Sequence, residues 1–175
     1  MEREWVAVVV RAQVGDREAV AELVRGWHEP VWGYVRRMLG RDDVADDVSQ
    51  EVWLAVVRGL PRLREPERFA AWLFTIARRS VVNQLRGQYA DQTPYVDQPR
   101  QTPYDEPDPA EQVVDRVDVR RLVDRVPVVE REVLVLFHLE DLSLEECADV
   151  LGVPVGTVKS RLHRARRMLR EGAES

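Results

Sequence analysis

The stretch from Leu142 to Leu169, LSLEECADVLGVPVGTVKSRLHRARRML, constrains the chain more than any other. Ser143 reads as a helix N-cap, and Glu146 three residues on completes a capping box. Leu144, Cys147, Ala148 and Leu151 recur at helical spacing, so one face is meant for a core. Gly152 supplies the left-handed turn position that stops this helix, and Pro154 opens the next, where a missing N–H costs nothing. The second helix would bury Val155, Val158, Leu162, Ala165 and Leu169 and turn Lys159, Arg161, Arg164, Arg167 and Arg170 the other way. A short capped helix, a glycine turn and a basic amphipathic helix, in that order, describe a helix-turn-helix. Its second helix would enter a major groove by its N-terminal part and meet phosphates with the arginines beyond. The bland alternative is a helical hairpin with a solvated basic face.

Around this stretch the pattern is helical throughout. A helix over Glu2 to about Gln13 is followed by Gly15 and Asp16, which break and recap the chain. A stripe of Ala19, Leu23, Val24, Trp27, Val31, Tyr34, Val35 and Met38 then reaches Leu39, with Pro30 expected to bend or split the helix. Gly40 ends it, and Asp42 or Asp43 is expected to cap the next helix, about Asp43 to Leu60. There Val44, Val48, Val52 and Val56, with Leu54 and Val57 beside them, are expected inside, and Asp46, Asp47, Gln50 and Glu51 outside. After the loop PRLREPER, a helix from near Pro66 to about Gln88 carries the stripe Phe69, Trp72, Leu73, Ile76, Ala77, Val81 and Leu85. No segment alternates with period two, so the fold class is all-α.

Residues 91–109 change character. Rich in Pro, Asp, Gln and Thr and poor in aliphatics, they cannot bury enough apolar area to offset ordering, and read as a flexible linker. The chain of 175 residues therefore divides into a helical domain over 1–90 and a second over 110–175, the latter a four-helix domain containing the helix-turn-helix. A helix from about Pro109 to Arg125 opens it, and a further one follows Pro127. No apolar run approaches the ~20 residues that cross a bilayer, no signal peptide is evident, and the one cysteine excludes an intrachain disulfide. Those features point to the cytoplasm. Cys147, on an apolar face, reads as a plain buried thiol.

A net charge of −5 does not suit a nucleic-acid binder until its distribution is considered, because binding follows the local field. Acid gathers in Asp42, Asp43, Asp46, Asp47 and Glu51; base gathers in Arg78, Arg79, Arg86 and the last helix. The acidic cluster lacks the ligand spacing and glycine of a calcium loop, so a solvated helix start or a docking face for a basic protein is the better reading than a metal site. His28, His138 and His163 have no zinc-type partners, and neither a phosphate-cradling loop nor a nucleophile–base pair is present. The expectation is no enzyme, no metal and no cofactor. Trp72 is read as core, and Phe69 is left between core packing and stacking on an exposed base.

Three segments in order, DDVADDVSQEVWLAVVRGL, FAAWLFTIARRSVVNQLR and the helix-turn-helix, resemble bacterial RNA polymerase sigma factors of the extracytoplasmic-function group, and the resemblance spans nearly all of the chain beyond the first dozen residues. It implies two helical domains on a linker, a partner in core RNA polymerase, and promoter recognition, melting and transcription initiation. It implies that Asp46, Asp47, Gln50 and Glu51 contact the coiled coil of the largest polymerase subunit. It implies that the loop carrying Arg62, Arg64 and Arg68, with Phe69, Arg78, Arg79, Asn83 and Arg86, engages the melted proximal element, where a base is flipped from the stack. It further implies that Gly156, Thr157, Lys159, Ser160, Arg161, His163, Arg164 and Arg167 serve the distal element. The flap of the second-largest subunit and an anti-sigma factor are the other implied partners, with no small-molecule substrate. The chain departs from the family pattern at Arg79, often Asn, and at Asn83, often Asp; both departures make the surface more positive. The rivals are a stand-alone helix-turn-helix operator-binding regulator and a helical metal-dependent phosphohydrolase built on the carboxylates.

Overall fold

Every regular element in the computed structural model, which describes residues 2–89, 123 and 125–173, is helical, and none of the described residues lies in a strand. The chain forms two compact units, one built on the helices up to Tyr89 and the other on those from Val128 onward. The expected linker, and all but two residues of the expected helix over 109–125, lie outside the described residues.

In the first unit α1 (Glu2–Gln13) leads to α2 (Arg17–Leu39), α3 (Asp42–Gly59) and α4 (Phe69–Tyr89). Local chemistry sets the boundaries. The Asp16 carboxylate accepts the N–H groups of Glu18 and Ala19 at 2.9 and 3.2 Å, capping α2. Gly40, at φ +73°, donates its N–H to the Arg36 carbonyl at 2.8 Å and closes it, a position that any side chain would strain. Of the two outcomes expected at Pro30, a split does not occur: α2 runs through it without a break. The helix forfeits one N–H there, but Leu23, Val31, Tyr34 and Val35 on either side are completely or almost completely buried. Burial of such side chains, each about 1.5–3 kcal/mol, outweighs the local penalty of about 3 kcal/mol.

The cap of α3 also departs from expectation. Arg41, extended at φ −136°, is the N-cap residue, and its side chain makes no cap bond. Asp42 and Asp43 instead occupy the first turn, where carboxylates favour the positive end of the helix dipole. There Asp42 pairs with Arg36, and Asp43 with Arg41 at 2.6 Å. The hydrogen bond from Arg41 is the main reason the Asp43 carboxyl sits below the ordinary carboxylate range.

Val9, Leu23, Val31, Tyr34, Val48, Val52, Val56, Leu60, Leu73 and Phe74 make the first core. Phe74 was not part of the expected stripe; it meets Tyr34 and Trp27 edge-on at 5.6 and 6.4 Å. Gly26 lets α1 approach α2, because a Cβ there would collide with the Trp5 ring. All five tryptophans belong to this unit. Leu54 and Val57, expected inside, are 55 % and 47 % exposed. The buried stripe of α3 runs through Ala45, Val48, Val52 and Val56, and Leu54, two residues past Val52, falls about 200° around the helix from it.

The second unit contains α5 (Val128–Leu134), which continues into a π-helical turn over Val135–Leu139, then α6 (Leu144–Leu151) and α7 (Val155–Ala173). The capping box forms as expected: Ser143 N–H donates to Glu146 Oε2 at 2.8 Å, and Glu146 N–H donates back to Ser143 Oγ at 3.2 Å. Gly152 is left-handed at φ +66°. The Pro154 carbonyl accepts from Val158 N–H, placing Pro154 just ahead of α7. Val133, Leu136, Cys147, Leu151, Val158, Leu162 and Ala165 are buried. Of the four helices expected here, three are described.

Candidate functional site

One face of α3 gathers the carboxylates. Asp46, Asp47, Gln50 and Glu51 are all exposed, while Ala45, Val48, Ser49 and Val52 on the opposite face pack into the unit. The spacing of three and four residues puts the four polar side chains side by side over two turns. Leu54 and Val57 extend that face toward the helix C-terminus as an apolar continuation. One of the carboxylates is held: Trp32 Nε1–H on α2 donates to Asp46 Oδ1 at 2.7 Å. No local sequence rule links those two residues. Among the described residues, no group of three or more His, Cys, Asp or Glu side chains is arranged to hold a metal ion.

Between α3 and α4 the chain makes two 3-10 turns, Leu60–Arg62 and Pro66–Arg68. Arg62, Arg64 and Arg68 project from this loop and are exposed; Arg68 also pairs with Glu65 at 3.7 Å. Along α4, Arg79, Asn83 and Arg86 are exposed at i, i+4 and i+7 and so form one polar ridge, with Arg78 half-buried beside it. Phe69 does not join this surface. At 2 % exposure it packs edge-on against Trp27 at 5.7 Å, a place in the core and not on the surface where the sequence reading also puts it. Trp72 is half-buried, 6.0 Å from Phe69, with its ring against Gly59.

On α7 the residues expected at the distal element divide. Gly156, Lys159, His163 and Arg167 are exposed, and Thr157 and Ser160 are half-buried. Arg161 is only 6 % exposed. It stands three residues after Val158 and four before Ala165, on the packed stripe, so its guanidinium is not presented with the others. Arg164 is turned inward as well: its Nη2 lies 3.6 Å from Oε1 of Glu130, a buried carboxylate on α5. Nearby, Arg166 reaches His138 Nε2 at 3.1 Å and lies 6.0 Å from the Phe137 ring. Burial and the Arg166 charge together hold the His138 imidazolium below its ordinary pKa.

Two family models match this chain: Sigma-70 region 2 over residues 23–90, and Sigma-70 region 4 over residues 116–169. The ECF RNA polymerase sigma factor SigD of Mycobacterium tuberculosis (strain ATCC 25618 / H37Rv) is 34% identical over 94% of this chain and 82% of its own length. The chain belongs to the ECF sigma factors. Its fold is shared with two solved structures, CnrH in complex with the cytosolic domain of CnrY (TM-score 0.70, 23% identity, 97% of each chain) and RpoE of Bartonella quintana in complex with the anti-sigma factor NepR (TM-score 0.65, 22% identity, 82% of this chain and 89% of that one). In this sigma factor the acidic face of α3, the arginine loop and the α4 ridge all fall within the region 2 match, and α6 with most of α7 within the region 4 match. Neither Gln13 on α1 nor Trp32, whose default reading from the sequence is core packing, was marked there as a site residue. No described helix of the sigma factor is long and apolar enough to cross a membrane.

Proposed function

We propose that this sigma factor uses the α3 face of Asp46, Asp47, Gln50 and Glu51 to bind the coiled coil of the largest polymerase subunit, acting in the cytoplasm without cofactor or small-molecule substrate. Arg62, Arg64, Arg68, Arg78, Arg79, Asn83 and Arg86 then hold the melted proximal promoter element. The part of α7 that exposes Gly156, Lys159, His163 and Arg167, with the half-buried Thr157 and Ser160 beside them, enters the major groove of the distal element while the second unit rests on the flap of the second-largest subunit. An anti-sigma factor restrains the protein by covering these surfaces, as the complex of its structural relative with NepR suggests.

The observation that supports this reading best is the separation of charge by surface: carboxylates crowd one side of α3, and exposed arginines occupy the loop, the α4 ridge and α7. Opposite charges so arranged suit one acidic docking face and several phosphate contacts. A gel shift with and without core enzyme tests it. The isolated protein is expected to bind promoter DNA weakly and to form a stable, transcribing complex once core is added. Asp47→Arg with Glu51→Arg should weaken core binding by about tenfold or more. Arg79→Glu with Arg86→Glu should leave core binding intact and abolish promoter opening. Failure to associate with core enzyme at mild salt, or tight specific DNA binding by the isolated protein, would overturn the proposal.

A further inference from the structure

We infer that Gln13, at the end of α1, is a positioning residue for the loop between α3 and α4, an inference that rests on assigning that loop to promoter DNA. Gln13 precedes the stretch matched by the region 2 family model, which begins at residue 23. Its carboxamide nevertheless reaches across the unit. Nε2 donates to the Leu60 carbonyl at 3.1 Å and to the Leu63 carbonyl at 2.6 Å, residues 47 and 50 positions away.

The two acceptors are the two ends of a single 3-10 turn. Leu63 N–H closes that turn on Leu60 O at 3.1 Å, and Leu60 itself is anchored in the core at 2 % exposure. An amide NH2 has two hydrogens, and here both are directed at backbone carbonyls. Arg62 lies inside the clasped turn, and Arg64 follows the clasped Leu63. Both arginines are exposed, so their side chains stay mobile while the backbone that launches them is fixed from α1. A loop that must catch an unstacked base gains from such pre-ordering, because ordering cost is then removed before DNA arrives.

The test uses full-length protein with core enzyme and three substitutions of graded donor capacity. Gln13→Met keeps the length and removes both donors; Gln13→Glu replaces them with acceptors facing carbonyls; Gln13→Lys keeps donors. Gln13→Met and Gln13→Glu are expected to bind core within about twofold of the parent but to open promoters about tenfold more slowly, the factor set by losing one to two hydrogen bonds. Discrimination between promoters differing by one base in the melted element should narrow, and hydrogen exchange of the backbone amides over residues 62–65 should quicken in the free protein. Gln13→Lys should restore most of the opening rate. If Gln13→Met opens promoters at the parental rate while Arg62→Ala with Arg64→Ala slows them, the clasp has no role in promoter reading and the inference fails. Equal loss of core affinity, melting temperature and opening rate would reduce Gln13 to a packing residue and also defeat it. If the Arg62 and Arg64 replacements have no effect either, the loop's assignment to DNA is what falls.

Discussion

At the scale of single residues, the bond from Trp32 to Asp46 carries the sharpest consequence. A carboxylate on a helix surface samples several rotamers, and the indole N–H holds this one in place at 2.7 Å. Trp32→Phe retains most of the ring contacts and removes the donor. It is expected to weaken core binding about fivefold, the worth of roughly one hydrogen bond, and to have no further effect in an Asp46→Ala background, which removes the acceptor. A full additional loss in the double variant, measured by core titration, would show that Trp32 does not act through Asp46. Cys147 gives a second expectation. It is fully buried, and burial, followed by the neighbouring Glu146 charge, raises its thiol to about 12. Only thiolate reacts, so the native protein should resist iodoacetamide at neutral pH and be labelled once unfolded. His138 gives a third. Its pKa is lowered in the folded state, so between that value and the ordinary one the unfolded chain binds more protons and stability falls as pH falls. His138→Gln should flatten that part of the melting-temperature profile below pH 6.5; an unchanged slope would assign the effect to other groups.

The same contrast between near and distant partners separates what the sequence disclosed at the level of elements from what it did not. Caps and stops within a few residues were legible: Ser143 with Glu146, Asp16 with Ala19, and the left-handed Gly40 and Gly152 all behave as their local chemistry dictates. So was the acidic face of α3, because helical period alone puts Asp46, Asp47, Gln50 and Glu51 together. Leu54 and Val57 were misjudged by hydrophobicity, although the angle they make with Val52 and Val56 already excluded them from the stripe. The resemblance put Phe69 and Arg161 among the DNA contacts, and tertiary packing, which no local pattern reveals, buries both. Glu130 illustrates a different limit: only the docking of α5 on α7 brings it to Arg164. That pair predicts an element-scale effect. Glu130→Ala strands a partly buried guanidinium and should cost the second unit about 1–3 kcal/mol, with α7 loosened along its middle turns. If Arg164 were chiefly a phosphate ligand, Glu130→Ala would instead free it and tighten promoter binding, a difference that thermal melting and gel shifts separate.

For the molecule as a whole, two units with separate hydrophobic cores imply two separable tasks, each with its own stability. A fragment over residues 1–90 should keep its helix content and its affinity for core enzyme, read by circular dichroism and pull-down. The tryptophan distribution supplies a finer instrument. With all five indoles in the first unit, ultraviolet emission watches that half of the protein alone, whereas far-ultraviolet dichroism sums both. On heating, the two signals should trace curves that do not coincide; superimposable curves would mean the halves melt together. The same optical asymmetry gives the acidic ridge a built-in reporter, since the Trp32 indole lies against Asp46 while α7 carries no tryptophan and stays dark.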